Sequence, residues 1–157
     1  MSVLQRTAPK MTRSQKSFLL KVARALGTCQ LVEFELKNYI TEAFELCKKR
    51  LAGFPPFAMT GADCKKESLG GLIKIFQKLS DCPQLVDRLK SLTFDRNFLA
   101  HKAIATCIYP DGSFDLNAAK KILVRLQKVE QEALAVIDAI HEESRKWLAH
   151  LYFDPID

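Results

Sequence analysis

The residues of this chain best suited to chemistry lie in one short stretch, Leu92-Thr93-Phe94-Asp95-Arg96-Asn97-Phe98-Leu99-Ala100-His101. Arg96 offers a planar fork of donors that matches a phosphate, a geometry that a lysine cannot copy. His101 carries the one side chain type that ordinarily exchanges a proton near neutral pH. Asn97 adds a neutral donor and acceptor directly after the arginine. A guanidinium that receives developing charge and an imidazole that moves a proton are together the parts of a candidate site for an anionic group.

These residues interrupt an apolar helix. Leu85, Leu89, Leu92, Leu99 and Ala103 follow a 4-3 spacing that makes a seam against other helices, and Arg96 occupies one of its positions. His101 shares a face with Phe94, Phe98, Ile104 and Ile108. On an ideal helix Arg96 and His101 are separated by roughly 140° of arc and ~7.5 Å of rise, so they flank a common groove rather than stack. The expectation is a groove lined by the first and third helices, with Phe94 and Phe98 packed beneath it. Plainer roles compete: a core histidine held by a hydrogen bond, an arginine whose head snorkels to water, and a solvent-facing Asn97.

The elements that position the stretch are legible from periodicity and punctuation. Thr12 with Gln15 forms a capping-box pattern. Apolar residues then recur at helical spacing past Gly27-Thr28, which either breaks or bends the helix, to a stop at Gly53 and Pro55-Pro56. After the loop "FAMTGADCKKE" comes a shorter helix, "SLGGLIKIFQKL". Ser80-Asp81 opens a third helix, with Pro83 in its first turn, that runs through Ile108 to the turn "YPDGS". A fourth spans about residues 115 to 150. No stretch alternates with period two. The fold class is all-α, an up-and-down bundle of four to five helices. One domain is expected over residues 14–150, with flexible termini at 1–13 and 151–157.

Composition limits the function classes. The 157 residues are 48% hydrophobic and 27% charged, the balance of a soluble globular chain and not of a disordered one. No apolar run approaches the ~20 residues that cross a bilayer. The basic N-terminal residues precede no apolar segment of the signal-peptide kind, so no membrane association and a cytoplasmic location are expected. Five scattered cysteines without a C-x-x-C pair favour reduced core thiols over a disulfide framework or a zinc site. No carboxylate cluster or histidine pair stands at ligand spacing, so neither a metal nor another cofactor is expected. The net charge of +6 favours an anionic partner such as a nucleic acid.

The pattern R-N-x-x-x-H, here Arg96-Asn97-Phe98-Leu99-Ala100-His101, resembles the signature of the HEPN domain family. These are small helical bundles with an R-x(4-6)-H motif on a late helix and a polar residue after the arginine. Chain length, the motif's place near the end of the third helix, "LVEFELKNYI" in the first helix and "SLGGLI" in the second agree with the family. The resemblance covers roughly residues 14–150. It implies a HEPN-like bundle and a metal-independent endoribonuclease that leaves 2′,3′-cyclic phosphate ends, in some members a toxin or antiviral effector. Many members act as homodimers with two motifs facing one cleft, and some meet a neutralising protein partner. Carried over, Arg96, Asn97 and His101 would be the catalytic residues.

Three further residues are candidates for RNA contact: Lys102, Glu33 and Lys37. Glu33 and Lys37, four apart on the first helix, read more simply as an exposed ion pair, and Lys102 as a solvated side chain. His141 and His150 read as surface positions. The rival function is a non-catalytic helical module, antitoxin-like or a scaffold, that binds a protein partner or nucleotide through the same groove. A nucleic-acid binder without chemistry is weaker, because aromatic and basic residues do not interleave as a stacking platform.

Overall fold

The computed structural model describes residues 10–51 and 57–153, the side chains of residues 150 and 151 excepted. The expected helix stop at Gly53 and Pro55-Pro56, most of the expected flexible termini and the His150 side chain lie outside these residues.

The described chain is an all-helical bundle of five helices: α1 (Arg13–Arg50), α2 (Leu69–Leu79), α3 (Pro83–His101), α4 (Ala103–Cys107) and α5 (Leu116–Tyr152). The capping box anticipated at Thr12 forms, whereas α3 starts after Cys82, past the expected Ser80-Asp81 and without a side-chain cap, and the Asp115 cap of α5 was not anticipated. The Gln15 N–H donates to the Thr12 hydroxyl at 3.2 Å, and the Thr12 N–H donates to the Gln15 amide oxygen at 2.8 Å. Pro83 takes the first turn of α3, where its missing donor costs nothing. The Asp115 carboxylate accepts from the Asn117 and Ala118 N–H groups, 2.9 Å each, and starts α5. α1 passes Gly27-Thr28 without a break. The connection before α2 holds a short 3₁₀ turn, Gly61–Cys64, in a segment that reads as loop from sequence. A side chain on Gly61 would collide with Thr41, so this turn sits directly on α1.

Contacts fix the helix directions. Arg24 meets Glu130, Glu35 meets His141 and Tyr39 meets Trp147, so α1 and α5 run parallel. Asp81 meets Lys146, Arg88 meets Glu132 and Asp95 meets Arg125, so α3 runs antiparallel to both. The chain reverses after α4 in a turn where Gly112 takes φ 84° and the Ser113 N–H donates to the Asp111 carboxylate at 2.9 Å. The Gln15 amide donates to the Gly112 carbonyl at 3.0 Å, which ties this turn to the start of α1. At the opposite end the Ser80 hydroxyl donates to the buried Glu143 carboxylate at 3.0 Å and ties the α2–α3 connection to α5.

α3 ends at the candidate histidine. Sequence periodicity carries the helix to Ile108, but Lys102 adopts φ −121° and the chain restarts as α4. The Thr106 hydroxyl donates to the Lys102 carbonyl at 2.8 Å, a local competitor of the kind that bends helices.

The core follows the apolar seams. Leu85, Leu89, Leu92, Leu99 and Ala103 are all buried, and Tyr39 lies between Phe76 and Trp147 with its hydroxyl donating to the Leu79 carbonyl at 3.4 Å. Phe76→Ala should therefore cost about 3–5 kcal/mol in urea unfolding, because a fully buried ring is replaced by a void. Phe94→Ala, at a ring 77% exposed, should stay within about 0.5 kcal/mol.

The thiols are free, and three of them are buried. Burial pushes Cys29 up to about 11, with the Asp95 charge adding to it, and burial raises Cys64 and Cys107 as well. Since the thiolate is the nucleophile, native protein treated with iodoacetamide at pH 8 should carry label at Cys47 and Cys82. Cys29, Cys64 and Cys107 should label only after denaturation; native labelling of Cys29, read by peptide mass, would contradict this packing.

Candidate functional site

Arg96 rises from the buried face of α3 toward α1. Its neighbours on that seam are leucines, and a guanidinium there can avoid an unpaired charge only by reaching a carboxylate or water. It reaches Glu33. The Arg96 Nη2 lies 3.4 Å from Glu33 Oε1, with side chains 34% and 19% exposed. The Arg96 Nη1 donates to the Asn97 side-chain oxygen, also at 3.4 Å. Both contacts are long for a charge-assisted bond, whose usual range is about 2.7–2.9 Å. Glu33 Oε1 is buried and accepts no hydrogen bond among the described residues. The guanidinium is therefore held in place electrostatically while most of its donors have no partner among the described residues.

Below this pair on α1 lies Cys29, fully buried and close enough to feel the charges of Asp95, Arg96 and Glu33. On the α5 side Arg125 grips Asp95 through Nε at 2.9 Å and Nη2 at 2.6 Å, and its guanidinium lies 3.8 Å above the Phe98 ring. Two arginine–carboxylate pairs, Arg96–Glu33 and Arg125–Asp95, thus sit side by side across α3.

His101 points elsewhere. It is exposed at the last residue of α3, on the outer face that carries Phe94 and, past the kink, Ile104, both exposed. Asn97 is exposed as well. The expected groove with Phe94 and Phe98 beneath it does not form. Phe94 stands out in solvent because its face of α3 has no helix opposite among the described residues, and Phe98 packs instead under Arg125. The expected Glu33–Lys37 ion pair does not form either. Glu33 turns to Arg96, and the Lys37 ammonium donates to the Lys65 carbonyl at 3.2 Å, because the 3₁₀ connection lies over that face of α1. Lys102 is exposed at the kink itself.

The structure thus brings together Arg96, Asn97 and Glu33, places His101 one turn away on the outer surface, and leaves Lys37 out of the group. Sequence reasoning missed Asp95 and Arg125. Asp95 adjoins Arg96 in the chain, but its partner is 30 residues away and no local spacing announces it. His141, read as a surface residue, is exposed and lies 3.0 Å from the Glu35 carboxylate. Among the described residues no group of three His, Cys, Asp or Glu side chains is placed to hold a metal ion. No described helix is long and apolar enough to cross a membrane.

Comparison with protein-family models, with curated protein sequences and with solved structures finds no match for this chain.

Proposed function

We propose that this protein is a metal-independent endoribonuclease of the HEPN type, in which Arg96 binds the scissile phosphate and His101 transfers the proton. The observation that carries the reading is the state of Arg96. A guanidinium about one-third exposed on an otherwise apolar seam, held by two 3.4 Å contacts, has donors left for a phosphate. Asn97 beside it supplies one further donor to a phosphate oxygen. His101, solvent-facing on the adjacent turn, has the access that a proton-transfer group needs. The presence of both Arg and His in an all-helical bundle supports the family assignment.

A homodimer belongs to the same reading. The outer face beside His101 carries exposed Phe94 and Ile104, and a second copy laid there would cover them and bring a second imidazole to the cleft. Sedimentation at micromolar concentration should give a dimer that Phe94→Glu disrupts; a fully active monomer would sink the dimeric arrangement.

One specific observation favours a second reading. The Arg96–Glu33 contact joins α3 to α1, so Arg96 can be explained as an ion pair of a non-catalytic module that binds a protein partner or nucleotide. A size-resolved cleavage assay on structured and unstructured RNA separates the two. The parent should cut, while Arg96→Ala and His101→Ala should not, with the His101 variant as stable as the parent. Cleavage that survives both substitutions removes the ribonuclease reading.

A further inference from the structure

Because α1 and α5 run parallel, the first halves of two long helices lie side by side, and their charges add. The first half of α1 carries Arg13, Lys16, Lys21 and Arg24. The first half of α5 carries Lys120, Lys121, Arg125 and Lys128. Neither 13–28 nor 116–128 contains an acidic residue. Beyond residue 128 the balance in α5 reverses, with Glu130, Glu132, Asp138, Glu142 and Glu143 against Arg145 and Lys146. A chain of moderate net charge is therefore strongly basic at one end of the bundle.

A groove runs between the two helices at that end. Its mouth, about 380 Å³, has Arg13, Ser14, Ser17 and Lys120 around an apolar floor that includes Phe18 and Phe114. A second pocket, beyond Leu123 on the same helix pair, is lined by Lys21, Arg24, Gln127 and Glu130, the last paired with Arg24. Further along the same helix pair the lining is mixed, with Glu35 and Glu42 beside His141 and Arg145, and burial together with the Glu35 charge raises the Glu42 carboxyl. The acidic groups at the basic end, among the described residues, include Asp115, occupied in capping α5, Asp111, occupied with Ser113, and Glu130 and Asp95, which pair with Arg24 and Arg125. The dipoles of both helices also point their positive ends to the mouth.

We infer that this basic end is a binding surface for the phosphodiester backbone of a nucleic-acid strand. Lysines and arginines lining both walls of a groove suit a linear array of phosphates, the seryl and glutaminyl side chains supply neutral hydrogen bonds to phosphate oxygens, and the apolar floor accepts sugar and base faces. A membrane surface would instead meet basic groups arrayed around one flat apolar face. Arg125 lines neither part of this groove and turns instead to Asp95, beside Arg96. This surface deepens the ribonuclease reading, with the groove holding part of the RNA strand that is cut.

The test measures binding of a fluorescent 2′-O-methyl RNA, which cannot be cleaved through its 2′-oxygen. Lys16, Lys21, Lys120 and Lys121 are all exposed, and changing the four to Gln should leave the fold intact by circular dichroism. Binding should weaken at least about tenfold, and the slope of log affinity against log salt should shrink by about 2–3, near 0.7 per lost phosphate contact. The same number of charges removed at exposed Lys65, Lys66, Lys74 and Lys78 should change neither. Equal loss in both variants, unchanged binding in the first, or capture by phosphatidylserine vesicles without RNA binding would overturn the surface. If none of the proteins cleaves RNA while the binding pattern holds, the ribonuclease reading fails and the surface stands. If RNA is cleaved while binding is indifferent to the four lysines, the surface fails and the ribonuclease reading stands.

Discussion

Arg96→Lys should lower the cleavage rate on RNA by about 10²–10³-fold, close to the loss in Arg96→Ala, although the charge is kept. Removing one preorganised donor aimed at developing charge costs about 2.7–4 kcal/mol of transition-state stabilisation, and a lysine replaces the planar fork by a point charge. A structural role of the same side chain must be separated from this loss. Arg96 lies against Glu33, whose Oε1 is buried without a hydrogen bond among the described residues. Arg96→Ala strips that carboxylate of the cation it faces, so a stability loss of about 1–3 kcal/mol should accompany the loss of activity. Glu33→Gln in the Arg96→Ala background removes the uncompensated charge. Unfolding in urea should recover part of the lost stability in the double variant, and cleavage should not return. Activity restored in step with stability would mean that Arg96 only braces α3 against α1.

The arrangement of this site was only partly legible in the sequence. The seam of Leu85, Leu89, Leu92, Leu99 and Ala103 could be read because burial of a helix face follows the 3.6-residue period, and all five are buried. The same rule placed Arg96 at an inward position. The rule says nothing about whether a face with apolar residues has a helix opposite it, so Phe94 was expected beneath a groove and stands in solvent. Pairings across helices were equally silent. Glu33 has a lysine four residues away and nonetheless meets Arg96, because the 3₁₀ connection claims Lys37 through the Lys65 carbonyl. The parallel course of α1 and α5 depends on α3 and α4 together spanning the bundle before the chain turns at Gly112. Each basic half-helix was visible in the sequence, but their addition was not.

The largest effect of all should come from the substrate. An RNA in which a single nucleotide at the cut site lacks its 2′-hydroxyl should resist cleavage there completely, while neighbouring sites stay sensitive. In the proposed reaction the 2′-oxygen forms the new bond to phosphorus as the bond to the 5′-oxygen breaks. His101 removes the 2′-proton or protonates the leaving oxygen, and Arg96 takes up the charge that gathers on the phosphate oxygens. The electron pair from the broken bond leaves with the 5′-oxygen, so the fragments must end in a 2′,3′-cyclic phosphate and a 5′-hydroxyl. Mass spectrometry distinguishes these ends from the 3′-hydroxyl and 5′-phosphate left by attack of water in many metal-assisted nucleases. Among the described residues no three-ligand set is placed for a metal ion, and the proposed chemistry uses only the side chains of α3, so the rate should be the same in EDTA. Equal cutting of the 2′-deoxy site, a 5′-phosphate product or inhibition by EDTA would each rule out the 2′-oxygen route, and would move the search for the nucleophile away from the strand itself.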